Sequence, residues 1–295
     1  LAKSWRAHSC FGEGEHPGKF TISEDAEKFT FQLRPCGSGL RLWRKGFYGH
    51  GAYGKRTEAA RPWNYRLERF PYYCVHCPFL NEILPYESAY GALLWPVDPP
   101  ATPRDSCAWH IYKTPRRIPA SYYDRLGLKP KVIGKNRFYQ PGRKYFSKAQ
   151  LAEMSRPMTT RLREQLEAGD VPAAWDLIRD VKGEFLVLHD LYVNMLVATL
   201  TFIADKAGEE RLGEALRQQW QHCVKPQVDK HLETMTPEQK FTFLARRIFV
   251  VDICNGAGRH PGRVFIKETD SEITFKLFPC GSGGRLLRAG CYHPR

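Results

Sequence analysis

One stretch of this sequence occurs twice. Residues 10–48, CFGEGEHPGKFTISEDAEKFTFQLRPCGSGLRLWRKGFY, align without a gap with residues 254–292, CNGAGRHPGRVFIKETDSEITFKLFPCGSGGRLLRAGCY, and 21 of the 39 aligned positions are identical. Each copy has a His-Pro-Gly turn, two alternating segments around an acidic turn, a Cys-Gly-Ser-Gly turn and a third short segment. The pattern predicts a small three-stranded antiparallel sheet in each copy, too small to be stable alone.

Helices are predicted in the part of the chain that precedes the second copy. Ser147 is a candidate N-cap, and Asp170 followed by Pro172 is typical of the start of a long apolar helix. The predicted helices cover about residues 148–167, 170–207, 209–224 and 237–253. The predicted fold class is therefore α+β: a helical bundle with small antiparallel sheets, including the duplicated Cys-Gly-Ser-Gly β module.

The net charge of +14 comes mainly from one part of the chain. Residues 101–150 contain 12 Lys and Arg against 2 Asp and Glu. Within them, residues 129–147 have no apolar period and are predicted to form a basic arm or linker. The predicted regions are the first β module with a Cys-rich α+β region at 1–128, this basic arm at 129–147, and the helical region with the second β module at 148–295.

The basic arm has two possible partners. Its interleaved cations and aromatics could stack on bases and neutralise phosphates of a nucleic acid. No helix-turn-helix or zinc-finger spacing accompanies it, so contact with another subunit of a homo- or hetero-oligomer is the preferred interpretation.

The sequence contains no pattern typical of a membrane-spanning helix or of an export signal. No run approaches the roughly 18 apolar residues that a spanning helix needs, and the N-terminal LAKSWRAHSC lacks the layout of a signal peptide. The nine cysteines are odd in number and unevenly spaced, which favours reduced thiols. These features predict a soluble cytoplasmic protein without membrane contact.

A Cys-x-x-Cys pair is the most specific local signal for chemistry. Cys74, His76 and Cys77 lie within four residues, and Cys107 follows 30 positions after Cys77. Two thiolates in such a turn can converge on one tetrahedral ion, and a more distant Cys completes the ligand set. Zinc is favoured over iron. Alternatively, these thiols pack in an apolar turn as small hydrophobic groups.

The duplicated module supplies a second set of candidate metal ligands. The spacing Cys-x5-His-x19-Cys occurs in both copies, and its ligand candidates are Cys10, His16 and Cys36 in the first and Cys254, His260 and Cys280 in the second. The alternative is that the two histidines only shape the turn before Pro-Gly. Both interpretations predict the same local backbone.

The Pro-Cys-Gly-Ser-Gly turns provide candidate reactive thiols. Cys36 and Cys280 could act as nucleophiles, because backbone N–H groups of a glycine turn approach a ligand closely. Arg41 and Arg285 follow five positions later and are candidates for binding an anion.

An ionisable pair interrupts the apolar run FLVLHDLYVNMLVATLTFI. Burying His189 and Asp190 costs free energy unless a partner compensates, so the pair is a further catalytic candidate. A core histidine paired with an aspartate explains the same pattern without catalysis.

The run CVHCPFLNEIL…LLWPVDPPATPRDSCAW, from Cys74 to Trp109, resembles the cysteine-bearing end of proteins related to L-2-amino-thiazoline-4-carboxylate hydrolases and vinyl-reductase-type ligand-binding domains. The resemblance covers about forty residues. It implies an α+β domain with a small-molecule pocket lined by Cys74, Cys77 and Cys107.

Three functions fit these signals. The first is a cytosolic enzyme or enzyme subunit, a metal- or cysteine-dependent hydrolase or lyase, that acts on a small anionic molecule at a Cys/His-lined site. The second is a non-catalytic sensor or interaction module stabilised by a metal ion. The third is nucleic-acid binding through the basic arm. A closed four-ligand metal site would favour the second function over the first.

Overall fold

The structure is a computed structural model of the chain and describes residues 19–49, 54–87, 91–131, 139–240, 263–269 and 272–277. The chain divides into two compact units, Leu1–Leu177 and Ile178–Arg295. Helices are combined with a small antiparallel sheet, so the fold is α+β as predicted.

The first unit contains a four-stranded sheet. Its strands are β1 (Lys19–Glu24), β2 (Lys28–Arg34), β3 (Val97–Asp98) and β4 (Cys107–Tyr112). They lie in the order β1-β2-β4-β3, and every neighbouring pair is antiparallel. The tight acidic turn between β1 and β2 is held by Asp25, whose carboxylate accepts hydrogen bonds from the N–H groups of Glu27 and Lys28.

Alternating apolar residues give the sheet one buried face. Phe20 and Ile22 of β1 and Phe31 and Leu33 of β2 are all buried, while the residues between them are more exposed. This is the alternation that the sequence predicts for strands with one face on a core. Residues of β3, β4 and the segments around them complete the same core.

The third strand predicted after the Cys-Gly-Ser-Gly turn is wrong for the first copy. Gly39–Arg44 instead forms a helix, α1, in which Leu40 is completely buried. The segment GLRLWR is rich in leucine and arginine, which favour helices, and has no β-branched residue. The place beside β2 is taken by β4, which comes from a distant part of the sequence.

Of the remaining helices, those between residues 148 and 219 follow the prediction with one interruption, whereas Ala120–Arg125 and Lys225–Leu232 were not predicted as helices. The remaining helices are α2 (Ala120–Arg125), α3 (Lys148–Ser155), α4 (Met158–Glu167), α5 (Val171–Ala207), α6 (Glu209–Gln219) and α7 (Lys225–Leu232). Ser147 is confirmed as an N-cap, since its side chain accepts the N–H of Gln150. The first predicted helix is split between α3 and α4 because Pro157 disfavours helical backbone in the residue before it.

The described part of the basic arm lies along the sheet of the first unit. Glu24 accepts hydrogen bonds from the backbone N–H groups of Tyr145 and Phe146, at 2.7 and 3.0 Å. Lys113 bonds the carbonyl of Arg143 and forms an ion pair of 2.8 Å with Glu24. Contact of the arm with another subunit stays a prediction.

The second unit contains a two-stranded hairpin within its described residues. Its strands are β5 (Arg263–Glu268) and β6 (Ile273–Leu277), and they are antiparallel. Most of the predicted helix at 237–253 and the second Cys-Gly-Ser-Gly turn lie outside the described residues. In the part of the chain that is described, no helix is long and apolar enough to cross a membrane.

Candidate functional site

Four cysteines from three separate parts of the first unit line one small chamber. They are Cys36, Cys74, Cys77 and Cys107, and His76 lines the chamber beside them. The space open to the centre of a water molecule is about 20 Å³. That volume is enough for one water molecule or one ion. Aromatic and proline side chains close the rest of the wall: Tyr65, Phe70, Tyr73, Pro99, Pro100 and Trp109.

The pairing of β2 with β4 brings two of these cysteines together. Leu33, near the end of β2, lies opposite Cys107, the first residue of β4. Cys36 follows three residues after Leu33, on the turn that leads into α1. The sequence separates Cys36 from Cys107 by 71 positions, so only the strand register reveals that they are neighbours.

The glycine turn allows the closest approach in the chamber. A Cβ placed on Gly39 would collide with the Sγ atom of Cys74 and would lie 3.1 Å from the ring of Tyr73. Gly39 is therefore required here because no side chain fits between α1 and the Cys-x-x-Cys segment. This contact joins the duplicated module to the Cys-x-x-Cys segment.

The Cys-x-x-Cys pair lies at a junction between two short irregular helices. Tyr72–Val75 forms a 3₁₀ turn, and Pro78–Ile83 forms a π-helical turn. The π-helical turn is wider than a turn of α-helix and places its side chains differently. Such π-helical turns are frequent at functional sites.

Hydrogen bonds define the tautomer of His76. Its Nδ1 atom lies 2.5 Å from the carbonyl oxygen of Tyr73, and because a carbonyl only accepts, Nδ1 carries the proton. The Nε2 atom is then bare and lies 3.5 Å from the Sγ atom of Cys77. Burial lowers the pKa of His76, which keeps the imidazole neutral near pH 7. A neutral Nε2 can accept a proton from the Cys77 thiol or bind a metal ion.

Two sulfur atoms accept hydrogen bonds from nitrogen donors. The backbone N–H of Leu40 donates to Sγ of Cys36 at 3.2 Å, and the indole N–H of Trp109 donates to Sγ of Cys107 at 3.1 Å. Such donors stabilise negative charge on sulfur, as outer-shell groups do around metal thiolates.

Without a metal ion, three of the thiols hold their protons firmly. Burial raises the pKa of Cys74 to about 12, and the neighbouring Cys36 adds to the shift. Burial likewise raises the pKa of Cys77 and of Cys107 well above the usual value. A reactive cysteine needs the opposite environment, one that lowers its pKa and leaves it accessible.

Glu82 is a buried acid beside the chamber that the sequence analysis did not select. Its side chain is fully buried, and one carboxylate oxygen forms a 2.9 Å ion pair with Arg125. Burial raises the pKa of Glu82 to about 7, although Arg125 acts in the opposite direction. The available signal was an acidic residue inside the apolar run PFLNEIL.

The other predicted site residues are not part of this chamber as described. Arg41 is exposed on α1, and His189 and Asp190 lie on α5, where their side chains are not described. The remaining candidates lie outside the described residues: Cys10, His16, Cys254, His260, Cys280 and Arg285.

The chamber is not a preformed metal site. Within the described residues, no group of three or more His, Cys, Asp or Glu side chains is already arranged to hold a metal ion. Cys36, Cys74, Cys77 and Cys107 are all free cysteines. Comparisons with protein-family models, curated proteins and solved structures gave no significant match.

Proposed function

We propose that Cys36, Cys74, Cys77 and Cys107 bind one Zn²⁺ ion and that the first unit is a metal-stabilised interaction module. The observation that carries this proposal is that four thiols line one small, partly open chamber of about 20 Å³. Four cysteine ligands and no open position are typical of structural zinc sites.

The environment of the thiols supports a structural role over a catalytic one. A nucleophilic cysteine must be ionised and reachable, whereas Cys74 and Cys107 are buried and their pKa values are raised. The narrow space at the sulfur atoms also favours an ion over an organic substrate. A hydrolase or lyase reaction centred on these cysteines therefore receives no support from this geometry.

Metal binding would have to reorganise the thiols. Zinc binds deprotonated sulfur at about 2.3 Å, so loading would release protons and draw the four sulfur atoms together by side-chain rotation. The N–H donors of Leu40 and Trp109 would then stabilise the charge on two of the thiolates.

Two finer expectations belong to the same proposal. The duplicated β module would give the second unit an equivalent of the β1–β2 hairpin, and β5–β6 lies at the aligned positions. A reducing compartment such as the cytoplasm would keep the four thiols available for the metal ion.

Metal analysis tests the proposal directly. The protein, expressed in zinc-supplemented medium, should contain about one zinc ion per chain by elemental analysis. Cys36→Ser and Cys77→Ser should each lose most of it, whereas Cys223→Ser, in the second unit, should keep it. Co²⁺ exchange should give the visible absorption of a tetrahedral thiolate complex, which confirms the ligands even where a variant folds poorly.

Several results would overturn the proposal. A folded parent protein that contains no metal and takes up neither Zn²⁺ nor Co²⁺ would show that the thiols are packing residues. The absorption of an iron–sulfur cluster in anaerobically purified protein would show that the cysteines hold iron instead of zinc.

A further inference from the structure

A second cavity of the first unit is much larger than the cysteine chamber. It lies between β1 and α3 and is bordered by residues 144–148, the end of the basic arm. The space open to the centre of a water molecule is about 750 Å³, compared with about 20 Å³ for the chamber. Pockets for small organic ligands have volumes of roughly 300–1,000 Å³, so this cleft has a suitable size.

Apolar groups form the inner wall of the cleft. Phe20 and Ile22 of β1 and Leu151 of α3 are buried residues of the core that reach its inner surface. Phe146 and Ala152 border the cleft and remain exposed. Phe146 is a large apolar side chain with 41% of its surface exposed, and a ligand in the cleft would cover it.

The rim of the cleft is cationic. Lys19, Lys144 and Lys148 line it and are exposed, and none of the three forms an ion pair within the part of the chain that is described. Arg156 also borders the cleft, but its guanidinium is paired with Glu153 and Glu164. Within the described residues, three ammonium groups without an ion-pair partner therefore border the apolar interior, with Lys144 and Lys148 near the Glu24 end of β1 and Lys19 at its other end.

The carboxylate at the cleft does not cancel this charge. Glu24 forms a 2.8 Å ion pair with Lys113 and accepts two backbone N–H groups from the arm. Its negative charge is therefore compensated inside the protein, and the lysines remain available for an external anion.

Among the described strands β1 is the outer one, and its edge favours a small molecule over an added peptide strand. The N–H of Ile22, which would pair with such a strand, donates to the hydroxyl of Ser155 on α3 at 3.0 Å. Because α3 packs along β1, a further strand cannot extend the sheet there.

We propose that this cleft binds an amphipathic monoanion, a molecule with an apolar body and a single carboxylate. The apolar body would lie against Phe146 and Ala152, and the carboxylate would lie between Lys144 and Lys148, at the end of the cleft where the arm bonds Glu24. The inference does not depend on the metal proposal, because the cleft and the cysteine chamber share no lining residue.

Decanoate and its charge-reversed analogue decyltrimethylammonium, used below micellar concentrations, test the proposal by isothermal titration calorimetry on the whole chain. We expect decanoate to bind and the cation, whose alkyl chain is one carbon longer, to bind at least about tenfold more weakly. Ala152→Trp should abolish decanoate binding by filling the cleft. Ala149→Trp, on the exposed face of the same helix and outside the cleft, should leave it unchanged.

Charge reversal on the rim gives a second measurement. The double variant K144E and K148E should bind decanoate at least about tenfold more weakly, because two attractive charges become repulsive. The control K45E and K55E changes the net charge equally at exposed positions outside the cleft. Absence of decanoate binding would overturn the proposal. Equal binding of the cation, or unchanged binding in A152W or in the rim variant, would also overturn it.

Discussion

Beside its turn, the hairpin β1–β2 pairs Ser23 with Thr30, and the hairpin β5–β6 pairs the equivalent residues Lys267 and Thr274. Farther from the turn the two hairpins differ. Phe20 pairs with Leu33. Val264, the equivalent of Phe20, pairs with Lys276, whereas the equivalent of Leu33 is Leu277. The change occurs at a register shift between Phe265 and Lys267.

The neighbours of each hairpin account for this difference. In the first unit β2 is paired on both sides, with β1 and with β4, and its alternate residues are buried. A one-residue slip there would move buried side chains to the opposite face. In the second unit, β5 and β6 pair only with each other within the described residues. Similar sequences thus hold different registers, and the surrounding structure selects between them.

Removing the Glu24 carboxylate should distinguish the two copies most strongly. Lys113 and Glu24 have side chains that are only 2% and 1% exposed, so Glu24→Gln would remove the counter-charge of a buried ammonium group that keeps its bonds to the carbonyls of Asp25 and Arg143. We expect a loss of about 3 kcal/mol in the free energy of unfolding. Glu268→Gln makes the same change at the aligned position of the second copy, and we expect it to cost less than Glu24→Gln. Urea denaturation of both variants measures the difference, and equal losses would contradict it.

The same ion pair predicts a pH dependence. Burial alone would raise the pKa of Glu24, but bonds from Lys113 and from the N–H groups of Tyr145 and Phe146 outweigh it and lower the pKa. A lowered folded-state pKa means that the stabilisation is complete above the ordinary value of 4.5 and is lost as the pH falls through the folded-state value. The stability difference between parent and Glu24→Gln should therefore shrink below about pH 4.5. A difference that grew on acidification would show the opposite sign.

A methyl group on the turn glycine should have the next largest effect. Gly39→Ala would force a Cβ against Sγ of Cys74, and we expect a cost of about 1–3 kcal/mol. Gly283→Ala is the matched change in the second copy. It should cost less, because the single Cys-x-x-Cys pair of this sequence lies against Gly39. Scanning calorimetry on both variants would test this, and an equal or larger loss from Gly283→Ala would indicate a similar close contact in the second copy.

The smallest effect is expected at the threonine shared by both hairpins. The hydroxyl of Thr30 lies 3.1 Å from Nδ1 of His110, in a partly buried hydrogen bond, whereas the hydroxyl of Thr274 bonds the exposed Glu272 at 3.0 Å. Thr30→Val removes the first bond without changing side-chain shape and should cost about 1 kcal/mol. Thr274→Val should remain within about 0.5 kcal/mol. Urea denaturation midpoints, compared at equal m-values, measure the loss of stability in each variant. A larger loss from Thr274→Val than from Thr30→Val would contradict the prediction.

Local patterns in the sequence were sufficient to predict several secondary-structure elements. The N-cap at Ser147 needs only its own side chain and the N–H three residues later, and the strands at 19–24 and 28–34 follow from simple alternation. The third strand was predicted wrongly because a short apolar segment is compatible with either strand or helix. A strand could not form beside β2 because β4 occupies that position.

The residues of the candidate site could be predicted only in part from the sequence. Cys74, His76, Cys77 and Cys107 were selected together because a Cys-x-x-Cys pair is a local pattern. Cys36 was considered as a nucleophile or as a ligand together with Cys10 and His16, and its proximity to Cys107 was not predicted because it depends on strand pairing over a long sequence separation. The cleft between β1 and α3 had no local signal, since cavities arise from packing.

The pairing of β2 with β4 also orders the events of folding. It joins Thr30 to His110 across 80 residues of sequence, and closing so long a loop is slow and entropically costly. The four thiols cannot surround an ion before that loop closes, and the last of them is absent from the nascent chain until Cys107 has been synthesised. We therefore expect a metal ion to bind the first unit after most of it has folded and to stabilise it. We do not expect the ion to nucleate folding.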